Sequence, residues 1–228
     1  MSSSLFSQLH GGLIVSCQAL ADEPLHGAHI MAAMARAAVQ GGAVGIRANS
    51  PVDIAAIREA VEVPIIGIYK EDIPGCPVYI TPTIGHAQAV ADAGADIIAL
   101  DATLRPHPDG LDVADLIRKV RQVTGKPVLA DIATYEEGVA AFHAGADAVS
   151  TTLSGYTENS PNQEEPDFDL IERLAAELPI PVIAEGRIAT PDQMVRALQL
   201  GAYAVVVGAA ITRPQWITRQ FTRRLSAG

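Results

Sequence analysis

A series of polar residues each closes a short apolar run: Gln18, Arg47, Lys70, Asp101, Asp131, the pair Thr151-Thr152, and Glu185. An amine and a carboxylate held out of water can take and return a proton, and cations, hydroxyls and an amide beside them can orient a polar ligand. Each residue has an alternative reading. Lys70, followed by Glu71, could instead be a solvated loop lysine, although function is the favoured reading. Asp131 fits a helix cap or an arginine partner as well as catalysis or substrate binding. Arg47 fits a ligand contact or a rim ion pair, and Asp101 fits either rim or site. Glu185 lies between Ala184 and Gly186 with no polar run around it, which favours function over solvation. His26, His29, His86, His107 and His143 share no spacing and are read as structural or exposed.

A second chemistry shows near the end of the chain. Ala184-Glu185-Gly186-Arg187 and Val207-Gly208-Ala209-Ala210 each end an apolar run in glycine, and Arg213 follows. Such glycine turns let backbone N–H groups approach an anion, a helix start adds a favourable dipole, and arginine adds charge-assisted bonds. Gly186, Arg187, Gly208 and Arg213 therefore form a candidate phosphate site.

These residues need a scaffold that gathers them. Apolar runs recur at Leu13–Ser16, Ala43–Ile46, Ile65–Ile68, Ile97–Asp101, Val128–Asp131, Ala148–Thr151, Val182–Glu185 and Ala204–Gly208. Near-continuous hydrophobic runs predict parallel strands buried on both faces. Helix candidates lie between them, at His29–Gln40, Asp53–Val61, Asp112–Val123, Tyr135–His143, Phe168–Leu178 and Pro191–Leu200. Gly94-Ala95-Asp96, Gly145-Ala146-Asp147 and Gly201-Ala202-Tyr203 repeat one device, a glycine that ends a helix and opens a strand. Strands alternating with helices over this length predict an α/β protein, a single (β/α)8 TIM barrel spanning residues 1–228. Chemistry on this fold sits beyond the carboxyl ends of the strands, where the polar residues fall. Residues 214–225, with Trp216, Ile217 and Phe221 at helical spacing, are expected to close the barrel as its eighth helix.

Composition narrows the partners. Apolar residues make up 49% of the chain but aromatics only 4%, as in a layered α/β protein. With 26 acidic against 16 basic residues, the net charge of −10 argues against nucleic acid or an anionic membrane. Cys17 and Cys76 form no metal-like motif and are expected to be free thiols. No apolar run is long enough for a membrane span, and the first ten residues lack a signal pattern, so a cytoplasmic location is expected.

Whole phrases carry a resemblance. Gly12-Leu13-Ile14-Val15-Ser16-Cys17-Gln18-Ala19, Gly42-Ala43-Val44-Gly45-Ile46-Arg47-Ala48, Gly67-Ile68-Tyr69-Lys70, Tyr79-Ile80-Thr81-Pro82-Thr83, Leu100-Asp101-Ala102-Thr103, Leu129-Ala130-Asp131-Ile132, Thr151-Thr152-Leu153-Ser154-Gly155-Tyr156-Thr157 and Ala184-Glu185-Gly186-Arg187 stand in order along the chain. The sequence thereby resembles the N-acylglucosamine-6-phosphate 2-epimerase family. That resemblance implies interconversion of N-acetylmannosamine 6-phosphate and N-acetylglucosamine 6-phosphate in sialic acid breakdown, with no metal, nucleotide or flavin and commonly as a homodimer. It implies Lys70 and Glu185 as the catalytic pair, and Gln18, Arg47, Asp131 and Thr152 as substrate-binding residues. Gly186, Arg187, Gly208 and Arg213 fall at the phosphate.

The implied chemistry moves a proton at C2, which is acidic only once the sugar ring is open and C1 is a carbonyl. A lysine near its ordinary pKa of about 10.4 is a poor base at neutral pH, so burial must lower it, and Glu71 would oppose this if turned inward. Two other readings remain at this point. A Schiff-base aldolase acting through Lys70 would cleave the sugar, and a non-catalytic protein would bind the phosphosugar without turnover.

Overall fold

The computed structural model describes residues 2–225. Its strands are β1 (Leu13–Cys17), β2 (Gly45–Asn49), β3 (Ile65–Ile68), β4 (Ile97–Asp101), β5 (Val128–Asp131), β6 (Ala148–Ser150), β7 (Val182–Ala184) and β8 (Ala204–Val207). They pair in parallel, in chain order, and β8 returns to β1 to close the barrel. Each parallel step needs a crossover, which helices supply. These are α2 (Ala28–Gln40), α3 (Pro51–Ala60), α4 (Ile84–Asp92), α5 (Val113–Thr124), α6 (Tyr135–His143), α7 (Phe168–Glu177) and α8 (Pro191–Gln199). A short α1 (Ser2–Ser7) precedes the barrel, and α9 (Ala209–Thr212) and α10 (Pro214–Leu225) follow it. The (β/α)8 barrel expected from the alternating runs is the fold.

The two-residue period of a strand sorts side chains between two cores. Ile14, Ile66, Ile68, Ile97, Ala99, Leu129, Ala148, Ile183, Ala204 and Val206 meet inside the barrel, above Phe6 and Leu9. Their neighbours Val15, Ile46, Ile65, Ile98, Leu100, Val128, Ala130, Val149 and Val182 face the helices. Continuing the inward parity toward the carboxyl ends reaches Ser16 and Gln18, Arg47, Lys70, Asp101, Asp131, Thr152, Glu185 and Gly208. Register then aligns them, Ser16 opposite Arg47 and Asp101 opposite Asp131.

The repeated glycine device works as expected, with Gly94, Gly145 and Gly201 at φ 101, 93 and 97. Its aspartate does more than start a strand. Asp96 accepts from the Ile65 amide and Asp147 from the Val128 amide, both at 2.9 Å, and each pairs with an arginine, Arg58 or Arg121. The carboxylate thus pins the amino end of the preceding strand.

Several boundaries differ from the sequence reading. β2 starts two residues late and runs to Asn49: the Ala43 amide bonds back to Ala38 O in the turn, and the Val44 amide bridges to Leu13 O of β1 before the strand begins. Arg47 is therefore inside the strand rather than after it. Thr151 leaves β6 for a 3-10 turn, and Glu185 and Gly208 lie just beyond their strands. α4 was not singled out in the sequence; Thr83 starts it by accepting from the His86 amide. α10 forms over Pro214–Leu225, lies mainly against α9, and has no buried residue among those described; Phe221 is 72% exposed.

Candidate active site

A cavity of about 580 Å³ opens at the carboxyl ends of the strands. Gln18, Arg47, Lys70, Thr152, Glu185, Gly186, Arg187, Gly208 and Arg213 all line it. Asp131 lies directly behind. Every residue singled out for catalysis, substrate or phosphate is thus gathered at one mouth, from strands as far apart in sequence as β1 and β8.

Arg47 is the hub. At 1% exposure its guanidinium makes a two-pronged bond to Asp131, NH1 to Oδ1 at 3.0 Å and NH2 to Oδ2 at 2.6 Å. NH1 also lies 3.1 Å from Glu185 Oε2. Burial opposes its charge, but Asp131 and Glu185 outweigh burial and raise its pKa, so it stays a cation. Thr152 Oγ1 reaches Asp131 Oδ1 at 2.7 Å and Glu185 Oε2 at 3.1 Å. Its one proton serves one carboxylate at a time, so a protonated Glu185 can donate to it instead. Below Glu185, Thr151 Oγ1 accepts from the Glu185 amide and donates to its carbonyl, fixing the turn.

Lys70 arrives from the opposite side. Its amide donates to Asn49 Oδ1 at 2.8 Å, and the preceding Tyr69 amide donates to Thr81 Oγ1 at 3.1 Å. Its ammonium makes no side-chain hydrogen bond or ion pair among the described residues. Burial, aided by the cations Arg47 and Arg213 and opposed by Glu185 and Asp131, pulls its pKa down to about 8. Glu71 takes no part in this: its carboxylate turns away to meet His86 Nε2 at 2.5 Å. Glu185 moves the other way. Burial first, and then Asp131, push its carboxyl above the usual range against the pull of Arg47, Thr152 and Lys70. An amine made more acidic and an acid made more basic, electrostatically linked across one cavity, are shifted in the directions that suit proton exchange.

Two polar atoms at this end are buried without partners, Gln18 Oε1 and Arg47 Nε. Gln18 is oriented by donating from Nε2 to Ser16 Oγ at 2.8 Å. Its carbonyl therefore waits for a donor, and Arg47 Nε for an acceptor.

At the far side, Gly186 (φ 104) and Arg187 (φ 58) form two successive left-handed residues. This turn sends the Arg187 guanidinium across the cavity wall, where NH1 donates to Ser154 O at 2.8 Å and the group lies 4.5 Å over the Tyr156 ring. Gly208 faces β1, and the amides at the start of α9 have no carbonyl within that short turn to accept them. Asp101 is drawn off instead, paired with Arg105 at 2.6 Å and accepting from Thr103. It does not line the cavity.

Sequence reasoning missed Ser16, Tyr79, Tyr156, Glu164, Glu165 and Gln193 as lining residues. Ser16 carried a usable signal, since it lies two residues before Gln18 on the same face. Tyr79 and the acidic pair come from long loops, whose path no periodicity encodes.

The chain as a whole resembles known proteins. Residues 31–227 match the family model described as "Putative N-acetylmannosamine-6-phosphate epimerase". A protein named "Putative N-acetylmannosamine-6-phosphate 2-epimerase" from Caldanaerobacter subterraneus subsp. tengcongensis is 54% identical over 97% of this chain and 94% of its own. One so named from Thermosynechococcus vestitus is 51% identical over 98% and 97%. Among solved structures, the N-acetylmannosamine-6-phosphate 2-epimerase from Clostridium perfringens superposes with a TM-score of 0.93 at 50% identity, over 96% of this chain and 95% of that one. Thiamine phosphate pyrophosphorylase from Pyrococcus furiosus, at 17% identity and a TM-score of 0.60, shares the fold alone. With the family model covering most of its length and half its residues identical to these relatives, the chain belongs to the N-acetylmannosamine-6-phosphate epimerase family.

Proposed function

We propose that this protein interconverts N-acetylmannosamine 6-phosphate and N-acetylglucosamine 6-phosphate by moving the C2 proton, in the breakdown of sialic acids and related amino sugars. The observation that carries this reading is the pairing of Lys70 and Glu185 in one cavity, with their pKa values drawn toward each other.

In the open-chain sugar, one member of the pair takes the C2 proton as the electrons of the C2–H bond form the C1–C2 double bond of a 2-acetamido enolate and negative charge collects on O1. Arg47, held charged by Asp131, is the donor that stabilises this oxyanion. The other member returns a proton to the opposite face of C2. A neutral lysine facing a carboxylic acid becomes an ammonium facing a carboxylate, so the pair ends ready for the reverse reaction with its total proton count unchanged. Gln18 Oε1 accepts from a substrate N–H or O–H, and Gly186, Arg187, Gly208 and Arg213 hold the phosphate. The protein acts in the cytoplasm as a homodimer, the dimer being supported by the exposed apolar residues of α10. Among the described residues no helix is long and apolar enough to cross a membrane.

Incubation with N-acetylmannosamine 6-phosphate, followed by NMR, tests the reaction. N-acetylglucosamine 6-phosphate is expected to accumulate to equilibrium. An unchanged sugar, or carbon fragments together with a borohydride-trapped adduct at Lys70, would overturn the reading in favour of binding or of aldol cleavage.

A further inference from the structure

Glu23 lies in the loop between β1 and α2 and does not line the cavity. Three donors nonetheless converge on its carboxylate. Oε2 accepts from Arg213 NH2 at 2.9 Å and from the Leu20 amide at 2.9 Å, and Oε1 accepts from Gln215 Nε2 at 3.1 Å. The loop is knitted around it: the Glu23 amide bonds to Leu20 O, and the His26 amide to Glu23 O. Glu23 is 16% exposed and Arg213 39%, so the better-anchored partner is the acid. On the other side, Thr212 donates to Ser16 O at 3.0 Å, tying the Arg213 backbone to β1.

We infer that Glu23 is a positioning residue, which holds Arg213 at the cavity rim in the orientation that grips the substrate's phosphate. The inference rests on the proposed phosphate site. An arginine carries many rotamers, and gripping an anion costs it that freedom; a side chain already tethered through one amino group has lost much of it beforehand, while the rest of its fork stays available. The same carboxylate places a negative charge near the anion, but Arg213 balances that charge, the Leu20 and Gln215 amides hold the carboxylate in place, and it reaches the cavity only through Arg213. The loop that holds Glu23 also begins at Gln18, so the grip on the phosphate and the contact at the reacting end of the sugar share one short segment.

The test compares Glu23→Ala, Glu23→Gln, Arg213→Ala and the Glu23→Ala/Arg213→Ala double variant. The readouts are KM and kcat for N-acetylmannosamine 6-phosphate and the competitive inhibition constant of inorganic phosphate. Arg213→Ala is expected to raise KM and the phosphate constant together by about tenfold or more. Glu23→Ala raises both by about three- to tenfold with kcat within about twofold, as loss of pre-ordering requires. Glu23→Gln, which keeps an acceptor, falls between wild type and Glu23→Ala. The double variant matches Arg213→Ala alone, because Glu23 then has nothing to position. If Arg213→Ala weakens phosphate while Glu23→Ala leaves it unchanged or tightens it, the positioning role is wrong and the phosphate site stands. If Arg213→Ala changes neither constant, the phosphate site and the role of Glu23 fall together.

Discussion

Lys70 and Glu185 depart from an ordinary lysine and glutamate in opposite directions, and the pH dependence of the reaction follows from that. In the proposed mechanism the pair works with one shared proton. Lys70 titrates near 8, so above that pH the shared proton is lost; Glu185 is raised, so below its elevated range the pair holds two. A bell-shaped kcat/KM profile is expected, its descending limb near pH 8, with both limbs belonging to the pair rather than to either residue. A rate still climbing through that limb would point to neutral Lys70 as the lone base. Behind the pair, Asp131→Ala leaves Arg47 buried with only Glu185 to balance it, and is expected to cost about 3–5 kcal/mol in urea unfolding. An unchanged midpoint would contradict the hub role. The sequence made both residues visible as polar ends of apolar runs. It offered Asp131 an arginine partner and Arg47 a rim ion pair without matching the two, because partners 84 positions apart leave no local signal.

Strands and turns show the same division between what is local and what is not. Burial on both faces wrote each of the eight strands as an apolar run, and glycine ends marked the turns between them. Arg47 was misplaced because a charged residue ordinarily ends a buried strand; here Asp131 satisfies it in mid-strand, so β2 continues to Asn49. The turn at Gly186 and Arg187 depends on a loop that sequence could only delimit. Gly155 sits at φ 76, and a Cβ there would lie 1.8 Å from the Arg187 guanidinium. Gly155→Ala must therefore displace Arg187 or the loop, and is expected to raise KM about tenfold while leaving kcat near wild type. A KM within error of wild type would show that Arg187 does not depend on this packing.

The molecule as a whole is a barrel whose amino end is closed by Phe6 and Leu9 and whose carboxyl end is the site. The helix that follows β8 is the exception to inward burial. α10 exposes Phe221 and Leu225 at 72% and 83%, apolar surface that the proposed homodimer would cover. A dimer is expected by sedimentation, and Phe221→Asp should shift it toward monomer; a monomeric wild-type protein at micromolar concentration would rule this out. The central claim is narrower, that Lys70 and Glu185 approach C2 from opposite faces. Its most direct test is a reaction in deuterium oxide, stopped within the first turnovers and read by NMR at C2. N-acetylglucosamine 6-phosphate that carries deuterium from the outset, beside recovered N-acetylmannosamine 6-phosphate that retains hydrogen, is the expected result. Product that keeps the original hydrogen at C2 would contradict two-sided proton transfer.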